Sequence, residues 1–379
     1  MIKVCHMTSA HGCEDVRIFH KECVSLAKTG YDVSLVERGE SYEKNGVHIV
    51  GVGEPAGGRL NRMTAFAKKV YKAALQIDAD IYHFHDPELM PYGLKLKKKG
   101  KKVIFDSHER YTEQFKSKPY LPKLITVPMA KIYGRYENWF LKKIDAVIFP
   151  CTMQGVNPFE GKCKRTAIIS NATLLNEFYD QYDSNTKKNE RQLCCPGSLT
   201  ADRGISQDIK AASLARAHLV LAGSISQQYK EIIENMPEYS CVDYRGILNR
   251  PQVMELLAES NIGLATELNV GQYFIADILS TKINEYMAMG LPVIMSDYSY
   301  NKIVESKYHL GICVDPENVD EIASAILYLL DNPEEARKMG ENGRRAVKEE
   351  FNWSIEEKKL LALYEDILKD DKNAELKFC

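Results

Sequence analysis

Short apolar runs alternate with amphipathic stretches along the whole chain. Apolar runs rich in β-branched residues predict buried strands, and stretches with an apolar residue at every third or fourth position predict helices. The predicted strands are residues 2–7, 32–37, 47–52, 81–85, 103–106, 146–149, 166–169, 192–196, 218–222, 241–245, 262–265, 292–296 and 312–314. The predicted helices are residues 15–29, 61–77, 87–99, 120–143, 204–213, 226–235, 250–259, 281–289, 318–331, 334–349 and 353–370. Strands and helices that alternate in this way are typical of parallel α/β sheets.

One polar segment interrupts this alternation. Residues 178–191 lack apolar periodicity, and we interpret them as a linker between two domains. The predicted domains are residues 1–185 and 186–352, each a doubly wound Rossmann-like unit, and a length of 379 residues suits two domains. Ligands of such sheets bind at the carboxyl ends of strands, so the cleft between the two sheets is the expected site.

Charge narrows the functional classes. The chain has 50 Lys+Arg and 52 Asp+Glu, and this net charge of −2 argues against a general nucleic-acid binder. The balance conceals an asymmetry, because residues 1–180 carry a net charge of +8 and residues 181–379 carry −10. The positive charge is concentrated in residues 95–143, which contain 14 basic and 4 acidic residues.

The apolar pattern and the cysteines indicate a cytoplasmic protein. No apolar run reaches the ~18 residues of a membrane-spanning helix, and the chain starts with a predicted strand rather than a signal peptide. Its ten cysteines are scattered without a Cys-x-x-Cys, so we expect reduced thiols. The Cys and His residues show no zinc-site clustering along the sequence, so we expect no metal.

The most informative segment is Ser280–Asp297, which reads as a capped helix, a glycine stop and a buried strand. Ser280 or Thr281 can cap the helix, and the free amides there can bind an anion such as a diphosphate. Lys282 opposes the helix dipole, which is favourable if an anion binds between them. Glu285, one turn further on, can accept hydrogen bonds from sugar hydroxyls. The alternative is a surface helix in which both charges are incidental.

This segment resembles the signature of the retaining family-4 (group 1) glycosyltransferases. The common form is Lys-hydrophobic-Phe-Glu-Tyr-Met-Ala-x-Gly-x-Pro-Val-Ile, and the chain has Lys-Ile-Asn-Glu-Tyr-Met-Ala-Met-Gly-Leu-Pro-Val-Ile at 282–294. The resemblance implies the GT-B fold, which has two Rossmann-like domains around a cleft. It also implies transfer of a sugar from a nucleotide sugar to an acceptor with retention of anomeric configuration, and a last helix, within 353–379, that joins the N-terminal domain.

Further motifs match in the expected order. Pro196–Gly204 resembles the loop whose basic residue, here Arg203, neutralises the donor diphosphate, and Leu219–Gly223 resembles the next strand with its terminal glycine. Tyr244–Ile247 resembles a loop that contacts the nucleotide base. The donor contacts expected from the resemblance and from the loops are Gly12, Gly197, Gly223, Arg245, Gly246, Ile247, Ser280, Thr281 and Glu285. The expected catalytic residues are His108, Arg203, Lys282 and Asp277.

Three departures keep other functions open. Asp277 replaces the first glutamate of the family's Glu-x7-Glu motif, Ser198 stands where the family often has arginine, and Ser9–Arg17 replaces a Gly-Gly loop. One alternative is a sugar-nucleotide epimerase of the same fold. The other is an inactive partner subunit that binds a nucleotide sugar.

Polar residues at the predicted strand ends of the N-terminal domain are candidate acceptor contacts. The acceptor-side residues that we expect are His11, Asp15, Arg17, His85 and Glu109. For the loop at 9–17, the alternative is that Asp15 caps a helix and Arg17 is solvated. His83 and His85 share one strand face, which makes a metal site conceivable. The resemblance implies no catalytic metal or other cofactor, and we interpret His83 as a structural hydrogen-bonding residue.

Basic residues are interleaved with aromatic ones after the Lys95–Lys102 cluster. Tyr120, Trp139 and Phe140 lie among further lysines and arginines, a pattern that suits an anionic membrane surface. We therefore hypothesise that residues 95–143 dock on the inner face of the membrane. The predicted partners are a nucleotide sugar, which we expect to be a UDP-sugar, and a glycan or polyprenyl-linked saccharide of cell-surface polysaccharide synthesis. No nucleic-acid partner is expected.

Overall fold

Two largely parallel sheets organise the chain, and a computed structural model describes them through residues 1–116, 123–271 and 273–375. The contacts within the chain define two units. The first consists of Met1–Asn171 with Ser354–Cys379, and the second is Ala172–Trp353.

The first unit contains an eight-stranded sheet. Its order is β3-β4-β2-β1-β5-β6-β7-β9, and all neighbouring strands are parallel except β3 and β4. The strands of this unit are β1 Lys3–Met7, β2 Asp32–Glu37, β3 Tyr42–Lys44, β4 Val47–Gly51, β5 Ile81–Phe84, β6 Lys102–Asp106, β7 Ala146–Phe149, the short β8 Thr152–Met153, and β9 Thr166–Ile168.

The second unit contains a six-stranded parallel sheet of order β12-β11-β10-β13-β15-β16. Its strands are β10 Gln192–Pro196, β11 His218–Ala222, β12 Val242–Tyr244, β13 Ile262–Ala265, the short β14 Ala276–Asp277, β15 Val293–Ser296 and β16 Gly311–Val314. The order reverses between β10 and β13, where an open parallel sheet of this kind binds its ligand.

Helices connect the strands of both sheets. The α-helices are α1 Val24–Lys28, α2 Arg59–Asn61, α3 Ala67–Ile77, α4 Met90–Lys98, α5 Tyr111–Lys116, α6 Lys123–Leu141, α7 Ile205–Leu214, α8 Gln227–Glu234, α9 Arg250–Glu259, α10 Thr281–Ala288, α11 Ser299–Tyr308, α12 Val319–Asp331, α13 Pro333–Glu349 and α14 Trp353–Glu375. The π-helical segments are Val16–Cys23, Arg62–Phe66 and Leu175–Tyr179. The 3-10 turns are Pro87–Leu89, Ala201–Arg203, Pro237–Cys241 and Tyr273–Ile275.

The second sheet is buried on both faces. Successive side chains of a strand point to opposite faces, and Cys194 accordingly packs with Tyr286 in one core cluster while Cys195 packs with Ile209 in another. The Tyr286 ring lies over β13, where a Cβ at Gly263 would come within 2.4 Å of it. Glycine at that position therefore lets α10 lie close to the sheet.

The predicted alternation of strands and helices is present in the structure. Strands β3, β8 and β14 and helices α5 and α11 were not predicted, and residues 120–122 of the helix predicted at 120–143 lie outside the described residues. The segment from Ser354 groups with the first unit, as the resemblance implied. Residues 376–379 of the predicted last segment lie outside the described residues.

The predicted linker at 178–191 lies inside the second unit, so the division between units falls before it rather than at 185. Phe178 is fully buried in the core of that unit, and Lys188 donates to the Ser260 carbonyl at 2.8 Å. This polar segment therefore packs on the surface of the second unit. Its few apolar side chains supply the contacts with the core.

The nine cysteines within the described residues are all free thiols. The tenth, Cys379, lies outside the described residues. Among the helices that the structure describes, none is both long and apolar enough to cross a membrane.

Candidate functional site

Backbone loops at the carboxyl ends of three parallel strands form the floor of the candidate site. The Gly197 amide donates to the Ala222 carbonyl at 2.8 Å, and the Gly223 amide donates to the Gly246 carbonyl at 2.7 Å. Gly223 has a φ of 140°, and a Cβ there would lie 1.7 Å from the Gly197 oxygen. Only glycine allows the two loops to approach this closely.

Above these loops lies a pocket of about 460 Å³ in the second unit. It is lined by Pro196, Gly197, Ser198, Ala222, Gly223, Ser224, Ile247, Leu248, Arg250, Val253, Thr281, Lys282 and Glu285. The lining includes six of the residues predicted for donor binding or catalysis. They are Gly197, Gly223, Ile247, Thr281, Lys282 and Glu285.

Two predicted cations, Arg203 and Lys282, meet at one carboxylate. Arg203 Nη1 lies 3.2 Å and Lys282 Nζ 3.4 Å from Oε1 of Glu267, which follows β13 and is 4% exposed. Burial alone would raise the pKa of Glu267, but Lys282 and Arg203 hold it below its usual value. Two cations therefore meet at one buried, ionised carboxylate, and charged nitrogens grouped in this way suit an anionic ligand.

Lys282 stays charged in this position. Burial opposes its charge, but Cys195 and Glu267 raise its pKa. The sequence placed Lys282 against the dipole of α10, and the structure shows that Glu267 compensates that unfavourable placement.

Glu285 is held by an arginine that the sequence analysis did not single out. Arg250, the first residue of α9, donates to Glu285 Oε1 at 2.8 Å and to Glu177 Oε1 at 2.6 Å. Its guanidinium lies 4.4 Å from the centre of the Phe178 ring. Arg250 lines the pocket, so it fixes the Glu285 carboxylate at the pocket wall.

Four other predicted site residues of this unit are placed differently. Ser280 occupies the cap position of α10 without a capping hydrogen bond, so the predicted side-chain cap is not formed there. Arg245 donates to Asp243 at 2.8 Å on the surface, and Gly246 contributes its carbonyl to the glycine loops. Asp277 lies in β14 and is not part of the pocket lining.

Asp208 is a buried acid close to these cations. Thr266 donates to its Oδ1, and the carboxyl group is 0% exposed. Burial raises the pKa of Asp208 to about 7, although Thr266 and Lys282 act in the opposite direction. This group therefore titrates near neutral pH.

In the first unit, Asp86 organises the loop that contains His11 and Gly12. Its carboxylate accepts hydrogen bonds from the Thr8 hydroxyl at 2.9 Å and the Ser9 amide at 2.6 Å, and His11 Nδ1 lies 3.3 Å from it. A Cβ at Gly12 would lie 3.1 Å from Arg38 Nη2. Asp86 directly follows the strand predicted at 81–85, so the end of that predicted strand was the signal that could have identified it.

Arg17 is buried, which corrects the alternative that it is solvated. Its Nε and Nη2 donate to the two oxygens of Asp106 at 2.8 and 3.0 Å, and its Nη1 donates to the Ile169 carbonyl. Asp15 caps the following helical segment, because it accepts hydrogen bonds from the Arg17 and Ile18 amides. Both residues thus have structural contacts within this unit.

His85 and His108 also meet at Asp106. His85 Nδ1 lies 3.3 Å and His108 Nε2 3.0 Å from Asp106 Oδ2. His85 is fully buried and touches other side chains rather than solvent, whereas the His108 side chain is 17% exposed. Glu109 is half-buried in the segment after β6, where its carbonyl accepts a hydrogen bond from Ser107.

Two family models cover most of the chain. The model described as Glycosyl transferases group 1 matches residues 179–346, which include every lining residue of the pocket. The model described as Glycosyltransferase Family 4 matches residues 17–154. The chain belongs to the group 1, family 4 glycosyltransferases.

Curated relatives match parts of this glycosyltransferase. The MMP alpha-(1->4)-mannosyltransferase of Mycolicibacterium hassiacum is 30% identical over 119 residues, which cover 31% of this chain and 27% of the relative. An uncharacterized glycosyltransferase of Methanocaldococcus jannaschii is 22% identical over 189 residues, or 48% of this chain and 46% of the relative. The matched region spans less than half of either relative.

Solved structures match nearly the whole glycosyltransferase chain. Sucrose-phosphate synthase from Thermosynechococcus elongatus is 16% identical, with a TM-score of 0.78 over 98% of this chain and 100% of that chain. The Anabaena HepE protein in complex with UDP and glucose is 12% identical, with a TM-score of 0.68 over 97% and 100% of the two chains. These likenesses confirm the predicted fold class, a GT-B chain with two Rossmann-like domains.

Proposed function

We propose that the chain is a retaining glycosyltransferase that moves a sugar from a UDP-sugar to a hydroxyl group of a glycan. The observation that carries this proposal is the pairing of Arg203 and Lys282 at Glu267, with Lys282 lining the pocket beside Gly197. Cations and backbone amides at strand ends are the groups that bind a diphosphate. A solved relative that holds UDP and glucose supports the choice of donor.

The pocket suits charge stabilisation of the leaving nucleotide. When the sugar–phosphate bond breaks, negative charge develops on the diphosphate, and Arg203 and Lys282 would stabilise it. Glu285, held by Arg250, would accept hydrogen bonds from the ribose hydroxyls. His108 and Asp277 would position the donor sugar, as the family resemblance implies.

We propose that the anomeric configuration of the sugar is retained without a carboxylate nucleophile. Among the described residues at the pocket, the carboxylates of Glu267 and Glu285 are each engaged by cations. An ion-paired carboxylate is a weak nucleophile, so we propose direct attack by the acceptor hydroxyl group. The departing phosphate would help to deprotonate that hydroxyl group on the same face of the sugar. The transfer step would then need no metal.

We further propose that the acceptor is a lipid-linked saccharide met at an anionic membrane surface. Helix α6 presents exposed apolar side chains, with Leu124 89%, Ile132 67% and Trp139 50% exposed. Lys131 and Arg135 are exposed on the same helix. Apolar side chains among basic ones favour binding at an anionic interface. Residues 117–122 of the hypothesised docking segment lie outside the described residues.

The Lys95–Lys102 cluster contributes less to this surface than its sequence suggested. Lys97 pairs with Asp145 and Lys101 with Asp78, both at 2.7 Å, and Lys95 Nζ lies 5.0 Å from the Tyr92 ring centre. These lysines are therefore engaged within their own unit. The docking proposal accordingly rests on the exposed face of α6.

A thermal-shift panel tests the choice of donor. The true donor should raise Tm by mass action, so a UDP-sugar is expected to stabilise the chain more than the GDP-, ADP- and dTDP-sugars. Product analysis of the stabilising donor follows. Release of UDP with transfer or slow hydrolysis of the sugar supports the transferase, whereas formation of an epimer without any acceptor would identify an epimerase instead. Absence of any shift across the panel contradicts the proposed donor site.

A further inference from the structure

Three histidines and a glutamate converge in the interior of the first unit. His6 lies on β1, and His83 on β5 is its direct neighbour in the parallel register. His85 follows two residues later and shares the face of His83. Glu22 comes from the π-helical segment Val16–Cys23 that packs on this face. All four side chains are 0% exposed.

The atoms that face one another have the spacing of a metal-ligand set. Oε2 of Glu22 lies 3.9 Å from His6 Nδ1, 3.8 Å from His83 Nε2 and 4.0 Å from His85 Nε2. All four ligand atoms lie within 4.8 Å of one another. Ligands bound tetrahedrally to zinc at about 2.0–2.1 Å lie about 3.3 Å apart. A small inward movement of Glu22, and a small separation of His6 Nδ1 from His85 Nε2, which lie 3.0 Å apart, would complete the site.

The outward-facing ring nitrogens have the partners that metal-bound histidines require. His6 Nε2 lies 3.2 Å and His83 Nδ1 2.9 Å from the hydroxyl oxygen of Tyr364 on α14. His85 Nδ1 lies 3.3 Å from Asp106 Oδ2. Each ring can thus donate its outer N–H to an oxygen, which leaves the inner nitrogen as a lone-pair donor.

Two of the inner atoms, His6 Nδ1 and His85 Nε2, lie within hydrogen-bond distance of each other at 3.0 Å, and the others lack hydrogen bonds within the described part of the chain. Both carboxylate oxygens of Glu22 and the Nε2 of His83 are buried without a hydrogen-bond partner. Oε1 of Glu22 lies 3.1 Å from Arg17 Nε, but without hydrogen-bond geometry. A buried polar atom without a partner is costly, and several that converge on one point call for a bound group.

We propose that the first unit binds one Zn²⁺ through His6, Glu22, His83 and His85. Three imidazole nitrogens favour zinc over magnesium or calcium, which prefer oxygen ligands. Four protein ligands without access to solvent make a structural site rather than a catalytic one. The ion would link β1, β5 and the Val16–Cys23 segment. Because Tyr364 contacts two of the ligand histidines, the ion would also stabilise the position of α14. The transfer step in the second unit needs no part of it.

Elemental analysis tests this site on the full chain. The chain is produced in zinc-replete medium without a polyhistidine tag, and zinc is measured by mass spectrometry. We expect one zinc ion per chain in the wild type and in His48→Gln, an exposed histidine on β4 that serves as the matched control. His83→Gln and Glu22→Gln should lose the ion. Retention of zinc by both variants, or equal loss from His48→Gln, overturns the proposal.

A second measurement does not depend on whether the variants fold. Zinc is removed from the wild type with a chelator, and ZnCl2 or CoCl2 is added back. Zinc should raise Tm by several degrees and saturate at one equivalent, and cobalt should give the intense visible absorption of a four-coordinate ion. A wild-type chain that contains no zinc, shows no change in Tm and gives no such absorption overturns the proposal.

Discussion

The Glu267 carboxylate stands between the two cations that would bind the donor diphosphate. It contacts both Arg203 and Lys282 through one oxygen, and it is almost fully buried. In the free protein it would hold the two cations at a fixed spacing and offset their repulsion. A bound diphosphate would then add negative charge to cations that are already in place.

The Glu267→Gln variant tests this role. The substitution removes a nearly buried negative charge that Arg203 and Lys282 share, so we expect Tm to fall, with a loss of roughly 3 kcal/mol in the free energy of unfolding. Added UDP should restore part of this loss, because its diphosphate replaces the missing charge. The rise in Tm caused by UDP is therefore expected to be larger in the variant than in the wild type.

The matched control is Glu341→Gln, which removes an exposed partner of Arg337 on α13. It should leave both Tm and the effect of UDP close to those of the wild type, because exposed pairs contribute little. A UDP effect that is smaller in Glu267→Gln than in the wild type would show that Glu267 does not act as the counter-ion of the diphosphate site.

Asp208 makes the stability of the second unit depend on pH. Its pKa is raised by burial from 3.8 to about 7, so the folded state binds a proton that the unfolded state releases above about pH 4. The stabilising contribution is present at low pH and is lost as pH rises toward 7. From this group the free energy of unfolding should fall by up to about 1.4 kcal/mol per pH unit between pH 4 and pH 7.

Asp208→Asn removes this titration while its side-chain amide can still pair with Thr266. Urea unfolding at pH 5 and pH 8 should therefore show a smaller difference between the two pH values in the variant than in the wild type. Asp202→Asn, at an exposed residue near the start of the same helix, is the control. An unchanged pH difference in Asp208→Asn would mean that Asp208 does not titrate in this range.

At the scale of elements, the strands and the signature helix α10 followed from the sequence, because periodicity and glycine stops are local signals. Arg203, Lys282 and Glu285 were predicted because they lie inside matched motifs. Glu267 and Arg250 were not, since their partners are distant in sequence and only the packed sheet brings them together. The linker prediction at 178–191 failed for the same reason, because the burial of Phe178 depends on the rest of its unit.

The buried histidine cluster shows the same limit. His83 and His85 could be placed on one strand face from their spacing, but His6 and Glu22 lie far away in sequence. A search for closely spaced ligands finds no zinc site here, because the strand register supplies the proximity that the sequence lacks. The expectation of no metal relied on the spacing of Cys and His residues along the sequence. For the transfer reaction, the absence of a metal remains a prediction.

Helix α6 carries the prediction of membrane docking. Reversal of two exposed charges, Lys131→Glu with Arg135→Glu, should weaken binding to anionic vesicles at low salt. Each basic residue near such a surface contributes about 1 kcal/mol, so removal of two predicts a loss of at least about 30-fold in affinity. Vesicle co-sedimentation measures this difference.

The control for this experiment is Lys338→Glu with Lys348→Glu, two exposed lysines on α13 that make the same change in net charge. Equal binding of the two double variants would mean that the chain responds to overall charge and not to the face of α6. Failure of the wild type to bind anionic vesicles at low salt contradicts the docking proposal as a whole.

At the scale of the whole molecule, the net charge of −2 describes neither half of the chain. Residues 1–180 carry +8 and residues 181–379 carry −10, while the pocket and the paired cations Arg203 and Lys282 lie in the acidic half. Local pairing through Glu267 would allow the proposed diphosphate site to lie in an acidic region. Solved structures of 12–16% identity have the same fold.

The most direct test of the proposed transfer is the rate of UDP release from the stabilising UDP-sugar by the wild type and by Arg203→Ala. Loss of one cation aimed at the leaving group is expected to lower turnover by about 10²–10³-fold. Tm should change little, since Arg203 is partly exposed. Arg337→Ala, an exposed arginine on α13, should turn over like the wild type. Turnover by Arg203→Ala close to that of the wild type would contradict the role of Arg203 in stabilising the leaving diphosphate.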